Sequence, residues 1–167
     1  MPLVPSVKML ITTSRNAGSI TRQFARGLSL SFPDAEYVSR NGKSVDALVA
    51  DARYLGIKML LIAHDSEGKT ARLFCIGISE SSWNYILSAG IFLQKPRDRK
   101  SRQKIPSLGL KIKSAKMKKF IKALGIGNEI DSDFTLKEQD SAISFYSGKK
   151  EIGPRFKILG IEYEKKP

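Results

Sequence analysis

The chain has 167 residues, 41% of them hydrophobic and 27% charged, with a formal net charge of +13. That is enough apolar material for a core, in one domain or two small halves, and too much for a disordered chain. Between Lys95 and Lys122 twelve Lys or Arg residues face the single acid Asp98, so this stretch carries +11 and the rest of the chain only +2. A self-repelling block of this kind calls for a polyanion, and the lack of Trp or Phe anchors near its densest charges favours nucleic acid over acidic membrane lipid. There is no charged start followed by a long apolar stretch and no run of about eighteen apolar residues, which predicts a soluble, unexported, cytoplasmic protein with no membrane partner. The single cysteine, Cys75, lies in the apolar run Leu73–Ile76. It rules out an internal disulfide and a cysteine-based metal site, and a small buried hydrophobe is favoured over a reactive thiol.

In chain order, Lys8–Thr13 is a short β-branched apolar run that reads as a strand, followed by the polar loop 14–19. A helix follows, capped by Ser19, with Ile20, Phe24, Leu28 and Leu30 as its apolar stripe and Arg15, Arg22 and Arg26 left outside the core. Pro33-Asp34 breaks that helix, Ala35–Ser39 is a brief strand, and Asn41-Gly42 is a turn. Ser44 opens a second helix with Val45, Leu48, Val49, Ala52 and Leu55 on one side and Gly56 as its stop. Ile57–Ala63 has the uniform apolarity of a strand covered on both faces, and Lys69–Ile78 is its hairpin partner across the turn 65–68. Tyr85–Leu93 is a further strand that Ala89-Gly90 should weaken.

Residues 94–104 contain no large apolar side chain and therefore form a linker or an exposed binding loop. Beyond them Leu108–Lys113 alternates as a strand. Ser114–Leu124 is an amphipathic helix with Met117, Phe120, Ile121 and Leu124 inward, Lys116, Lys119 and Lys122 outward, and Gly125 at its end. The acidic stretch Glu129–Asp133 reads as loop, and Ala142–Tyr146 and Arg155–Tyr163 read as strands. The fold class is α/β with mixed sheets, in two halves of similar element order (1–93 and 105–167) joined by the basic linker 94–104.

Catalytic chemistry finds little support. The one histidine, His64, ends an apolar strand, where a structural role is favoured over a general base because no serine or cysteine nucleophile motif accompanies it. Glu129, Asp131 and Asp133 alternate like calcium ligands, but counting from Asp131 the positions that need glycine and glutamate hold Leu136 and Ala142. Gly125-Ile126-Gly127 follows a helix and lacks the third glycine and the Gly-Lys-Ser/Thr of phosphate-binding loops, so it is a helix stop. No catalytic residue, metal ligand or cofactor is assigned.

Nucleic-acid binding rests on three basic groups. Arg15, Arg22 and Arg26 flank a helix start whose free amides can join the guanidinium groups in holding phosphate. Lys95, Arg97, Arg99, Lys100, Arg102 and Lys104 suit the tracking of a phosphate backbone rather than the reading of bases. Lys116 and Lys119 form a third face, for which plain solvation is an equal account. Aromatic residues are few near the basic run, so stacking on bases would have to come from Tyr146 or Trp83, both better read as core or partly buried.

Three separated stretches resemble the signatures of the Brix-domain family: Leu10–Arg15 with Arg22 and Phe24, Ile62–Phe74, and Gly153-Pro154-Arg155-Phe156 leading into a last apolar strand. In the middle stretch, where the family has His-Leu-Pro and Gly-Pro-Thr, this chain has His64-Asp65-Ser66 and Gly68-Lys69-Thr70. The lack of long tails resembles the short archaeal branch. The resemblance implies one domain over 1–167 made of two α/β halves, each similar to the anticodon-binding domain of class II aminoacyl-tRNA synthetases, with RNA along a basic groove between them. It implies a non-enzymatic role in ribosome biogenesis: pre-ribosomal RNA processing or subunit assembly, with ribosomal or pre-ribosomal RNA, small guide ribonucleoproteins and assembly proteins as partners. It also implies Ser14, Arg15 and Arg155 as RNA-facing residues, with pairing to Glu151 as the structural alternative for Arg155. The rival function is a protein-interaction scaffold with only weak, general RNA affinity.

Overall fold

The computed structural model describes residues 7–66, 69–94 and 104–164. Their elements, in chain order, are β1 (Met9–Thr13), α1 (Ser19–Ser31), β2 (Ala35–Tyr37), α2 (Val45–Tyr54), β3 (Met59–Asp65), β4 (Thr70–Ile78), β5 (Trp83–Gln94), β6 (Gly109–Lys111), α3 (Ala115–Ala123), β7 (Phe134–Gln139), β8 (Ala142–Ser147), β9 (Lys150–Glu151) and β10 (Arg155–Tyr163). All strands join one mixed sheet in the order β2-β1-β3-β4-β5-β10-β8-β7-β6, with β9 paired to β8. The pairs β1–β2, β1–β3 and β6–β7 are parallel and the remainder antiparallel. Each half thus contains a parallel strand–helix–strand unit, β1-α1-β2 and β6-α3-β7.

The uniformly apolar strands are buried because helices cover both sheet faces. Helices α1 and α3 pack on one face with Ile11, Leu61, Leu73, Ile91 and Phe156. Helix α2 packs on the other with Leu10, Leu60, Ile62 and Ile76. Cys75 lies in the first core, and burial pushes its thiol up to about 12, as for an inert hydrophobe.

Several expectations are corrected. The buried stripe of α1 is Thr21, Phe24, Ala25 and Leu28, while Ile20 is 56% exposed, because the helix is rotated about one residue from the stripe inferred from large side chains alone. Its N-cap is Gly18, not Ser19, and no side chain caps it. In α2, Ser44 caps by accepting from the Ala47 amide at 3.1 Å, but Leu55 is 63% exposed just past the helix end. Strand β5 runs unbroken through Ala89 and Gly90 because Gly90 is paired on both sides, to Arg72 and to Gly160. Strands β7 and β9 were not anticipated. Strand β7 offers only Phe134 and Leu136 as large apolar residues, and its place comes from pairing with β8 and β6.

Candidate nucleic-acid interface

Strand β1 is buried along its length and delivers the chain to the sheet edge, where the Ser14 amide still donates to Ala63 O at 2.9 Å. The chain then turns over 14–18 into α1. The Gly18 amide donates to Asp65 Oδ2 at 2.7 Å, and the first turn of α1 carries no acidic residue. The Asp65 carboxylate therefore meets the positive end of the helix, and the first turn of α1 adds no further negative charge.

On the exposed side of α1, Arg22 and Arg26 stand one turn apart, and the Arg26 guanidinium lies 5.1 Å over the ring of Tyr37 at the end of β2. Arg40, just beyond β2, donates from Nη1 to Thr13 O at 2.9 Å and from Nε to Lys43 O at 2.6 Å. Its guanidinium sits below the ordinary arginine value, first through burial and then through the charge of Arg15, with Tyr85 pulling the other way. Ser14, Arg15, Arg22, Arg26, Tyr37 and Arg40 share a concavity of about 330 Å³. Among the described residues no salt bridge joins any of these four arginines to a carboxylate. Guanidinium groups gathered in this way are chemically suited to an oxyanion such as phosphate.

Ser14, Arg15, Arg22 and Arg26, expected from the sequence, are thus brought together. Arg40 and Tyr37 join them unforeseen, because the parallel β1–β2 pairing carries a residue twenty-five positions downstream of Arg15 to the same edge. Other expected residues lie elsewhere. Lys95, Arg97, Arg99, Lys100 and Arg102 fall outside the described residues. Lys104, expected to belong to an exposed basic run, is exposed as a residue but commits its ammonium to the chain: its Nζ donates to the carbonyls of Ser29, of Phe32 at 2.5 Å and of Ala35 at 2.7 Å, closing the end of α1. Burial brings its ammonium down to about 8, against the opposing charges of Asp34 and Glu36. Lys116 and Lys119 are exposed on α3, with Lys119 Nζ 4.1 Å over the Tyr163 ring, and neither lines the arginine concavity. Arg155 donates from Nε to Gln94 Oε1 at 3.0 Å and meets Glu151 Oε2 at 3.4 Å, where the Tyr146 hydroxyl also donates at 3.1 Å.

The first and last signature stretches meet in the core beneath this edge. Phe24 packs edge-on against Phe156 with centroids 5.3 Å apart, and Ser31 Oγ donates to Gly153 O at 3.3 Å. A β-carbon at Gly27 would stand 3.5 Å from Pro154. The middle stretch forms the β3–β4 hairpin, in which His64 pairs with Arg72. Among the described residues no group of histidine, cysteine, aspartate and glutamate is placed to hold a metal, and no helix is long and apolar enough to cross a membrane.

Fold and concavity together define a mixed α/β protein with an arginine-lined concavity beside β1 and β2. No family model matches the chain. The probable Brix domain-containing ribosomal biogenesis protein of Thermococcus kodakarensis is 33% identical over 78 residues, which is 47% of this chain and 38% of that protein. The U3 small nucleolar ribonucleoprotein protein IMP4 of Homo sapiens is 38% identical over 65 residues, 39% of this chain and 22% of that protein. Two crystal structures share the fold. A probable ribosomal biogenesis protein from Aeropyrum pernix K1 has a TM-score of 0.67 at 18% identity, covering 90% of this chain and 94% of that one. Mil, an archaeal Imp4-like protein, has a TM-score of 0.65 at 17% identity, covering 93% and 99%. Over part of its length the chain is similar to these ribosomal biogenesis proteins, and it spans less than half the length of the curated relatives it matches.

Proposed function

We propose that the chain is a non-catalytic, RNA-binding ribosome biogenesis factor, acting in pre-ribosomal RNA processing and subunit assembly by neutralising phosphates so that RNA can approach its partners. The observation that carries this reading is the cluster of Arg15, Arg22, Arg26 and Arg40 at the start of α1, none of them salt-bridged to a carboxylate among the described residues. Ser14 adds a hydroxyl to that edge. The run Lys95, Arg97, Arg99, Lys100 and Arg102 extends the contact along the RNA backbone, and Lys116 and Lys119 offer a second basic face. Arg155, tied to Glu151 and Gln94, serves by fixing the start of β10. The halves 1–93 and 105–167 are read as one domain of two units similar to the anticodon-binding domain of class II synthetases. The printed names of the relatives, which include a small nucleolar ribonucleoprotein protein, support RNA and ribonucleoprotein partners in general.

A second reading, the protein scaffold, draws on a concavity of about 760 Å³ between the halves, lined by Phe32, Pro33, Leu108, Leu124 and Ile126. Titrating a labelled ribosomal RNA fragment against wild type and an Arg22→Ala/Arg26→Ala variant separates the two. The RNA reading expects affinity to fall about tenfold or more with thermal stability unchanged, since each charged hydrogen bond contributes roughly 1.5–3 kcal/mol. Equal affinity in the variant favours the scaffold.

A further inference from the structure

Helix α2 covers only part of its sheet face. Above Ile62 that face carries His64, Arg72 and Phe74, and among the described residues no helix lies over them. The rings there form a connected series across β3, β4 and β5: His64 to Phe74 at 6.2 Å, Phe74 to Tyr85 at 5.8 Å, and Tyr85 to Trp83 at 5.6 Å. His64 and Tyr85 are exposed, and Phe74 and Trp83 are half-buried at the rim of the α2 core.

Two arginines flank the His64 end of this series. The Arg72 guanidinium is 6.0 Å from the Phe74 centroid, steadied by Ser88 Oγ at 3.0 Å and by exposed Glu162 at 3.4 Å. Arg40, whose Nη1 donates to Thr13 O opposite Ala63 and so beside His64, also lines the arginine concavity, so the aromatic face and that concavity adjoin. Among the described residues the acids beside this face include Asp46, which accepts from Trp83 Nε1 at 2.8 Å, Glu162, and Asp65, whose carboxylate is taken up by the Gly18 amide.

From this juxtaposition we infer that the open face of β3–β5 is a stacking platform for unpaired nucleotide bases, with Tyr85, Phe74 and His64 as ring surfaces and Arg72 and Arg40 guiding the strand toward the arginine concavity. Half-exposed aromatic rings flanked by guanidinium groups match a π-face carried on a polyanion, and they do not match a duplex, whose bases are already stacked. The inference rests on the RNA-binding reading and adds to it a preference for single strands.

The test compares a labelled single-stranded RNA of about twelve nucleotides with the same strand annealed to its complement. Tyr85→Ala should weaken single-strand binding about tenfold and leave duplex binding within about twofold, while Tyr85→Phe keeps both. Trp83, the sole tryptophan, gives a readout needing no substitution: its emission should be quenched by the single strand and not by the duplex. Single-strand affinity unaltered by Tyr85→Ala together with unchanged Trp83 emission overturns the platform, as does an equal loss on both forms; a face that docks protein instead gives the first of these. Wild type binding neither form overturns the RNA reading itself. Arg22→Ala/Arg26→Ala, which should weaken both forms, separates that failure from failure of the platform.

Discussion

Glu138, on β7, holds the start of α3 from another element. Its Oε1 accepts from the Lys113 and Ser114 amides at 2.9 and 2.8 Å, and its Oε2 accepts from Ser114 Oγ at 2.7 Å, while Ser114 in turn caps the Met117 amide. Burial alone would raise its carboxyl, but these hydrogen bonds and the charge of Lys113 outweigh it and hold the group below the ordinary carboxylate value of 4.5. A carboxyl depressed in the folded state adds stability above its unfolded value, and that contribution is lost as pH falls through the folded one. Urea unfolding of wild type should therefore lose stability more steeply below about pH 4.5 than unfolding of Glu138→Gln. Lys104 makes the complementary point, that a residue's charge does not tell its role. With its ammonium committed to three carbonyls at the end of α1, Lys104→Met should cost about 1–3 kcal/mol of unfolding free energy and leave RNA affinity unchanged.

Helix α1 joins the two signature stretches, because Phe24 on its inner face meets Phe156 and Gly27 passes Pro154. Phe156 is 1% exposed, so Phe156→Ala should cost about 3–5 kcal/mol by denaturant unfolding. Gly27→Ala places its new carbon at ordinary contact distance, 3.5 Å, in a helix interior, and should be neutral or stabilise by about 0.5–1 kcal/mol. Most elements were legible in the sequence wherever periodicity and punctuation agree, as in α2 with Ser44 and Gly56 or α3 with Ser114 and Gly125. Where they failed, a partner decided. Gly90 stays in β5 between two paired strands, and the polar β7 is a strand because β8 and β6 flank it. The arginine edge was half legible: Arg22 and Arg26 share a helix face by spacing alone, whereas Arg40 and the ring series of β3–β5 come together only through strand pairing.

Along the sequence the excess of positive charge lies between Lys95 and Lys122, while the arginine concavity is built around β1 and β2. One sheet runs through both halves, so the arginine concavity and helix α3 stand on a single framework. On the proposed RNA-binding reading, local charge density would attract RNA from solution and the guanidinium groups of the edge would fix where its phosphates rest.

The most direct measurement is the salt dependence of RNA binding by wild type and by Arg15→Ala/Arg22→Ala/Arg26→Ala. If each arginine holds one phosphate, the slope of log affinity against log salt should become shallower by about 2, at roughly 0.7 per lost contact on a single strand. Parallel slopes with equal affinity would show that this edge does not hold RNA and would contradict the account.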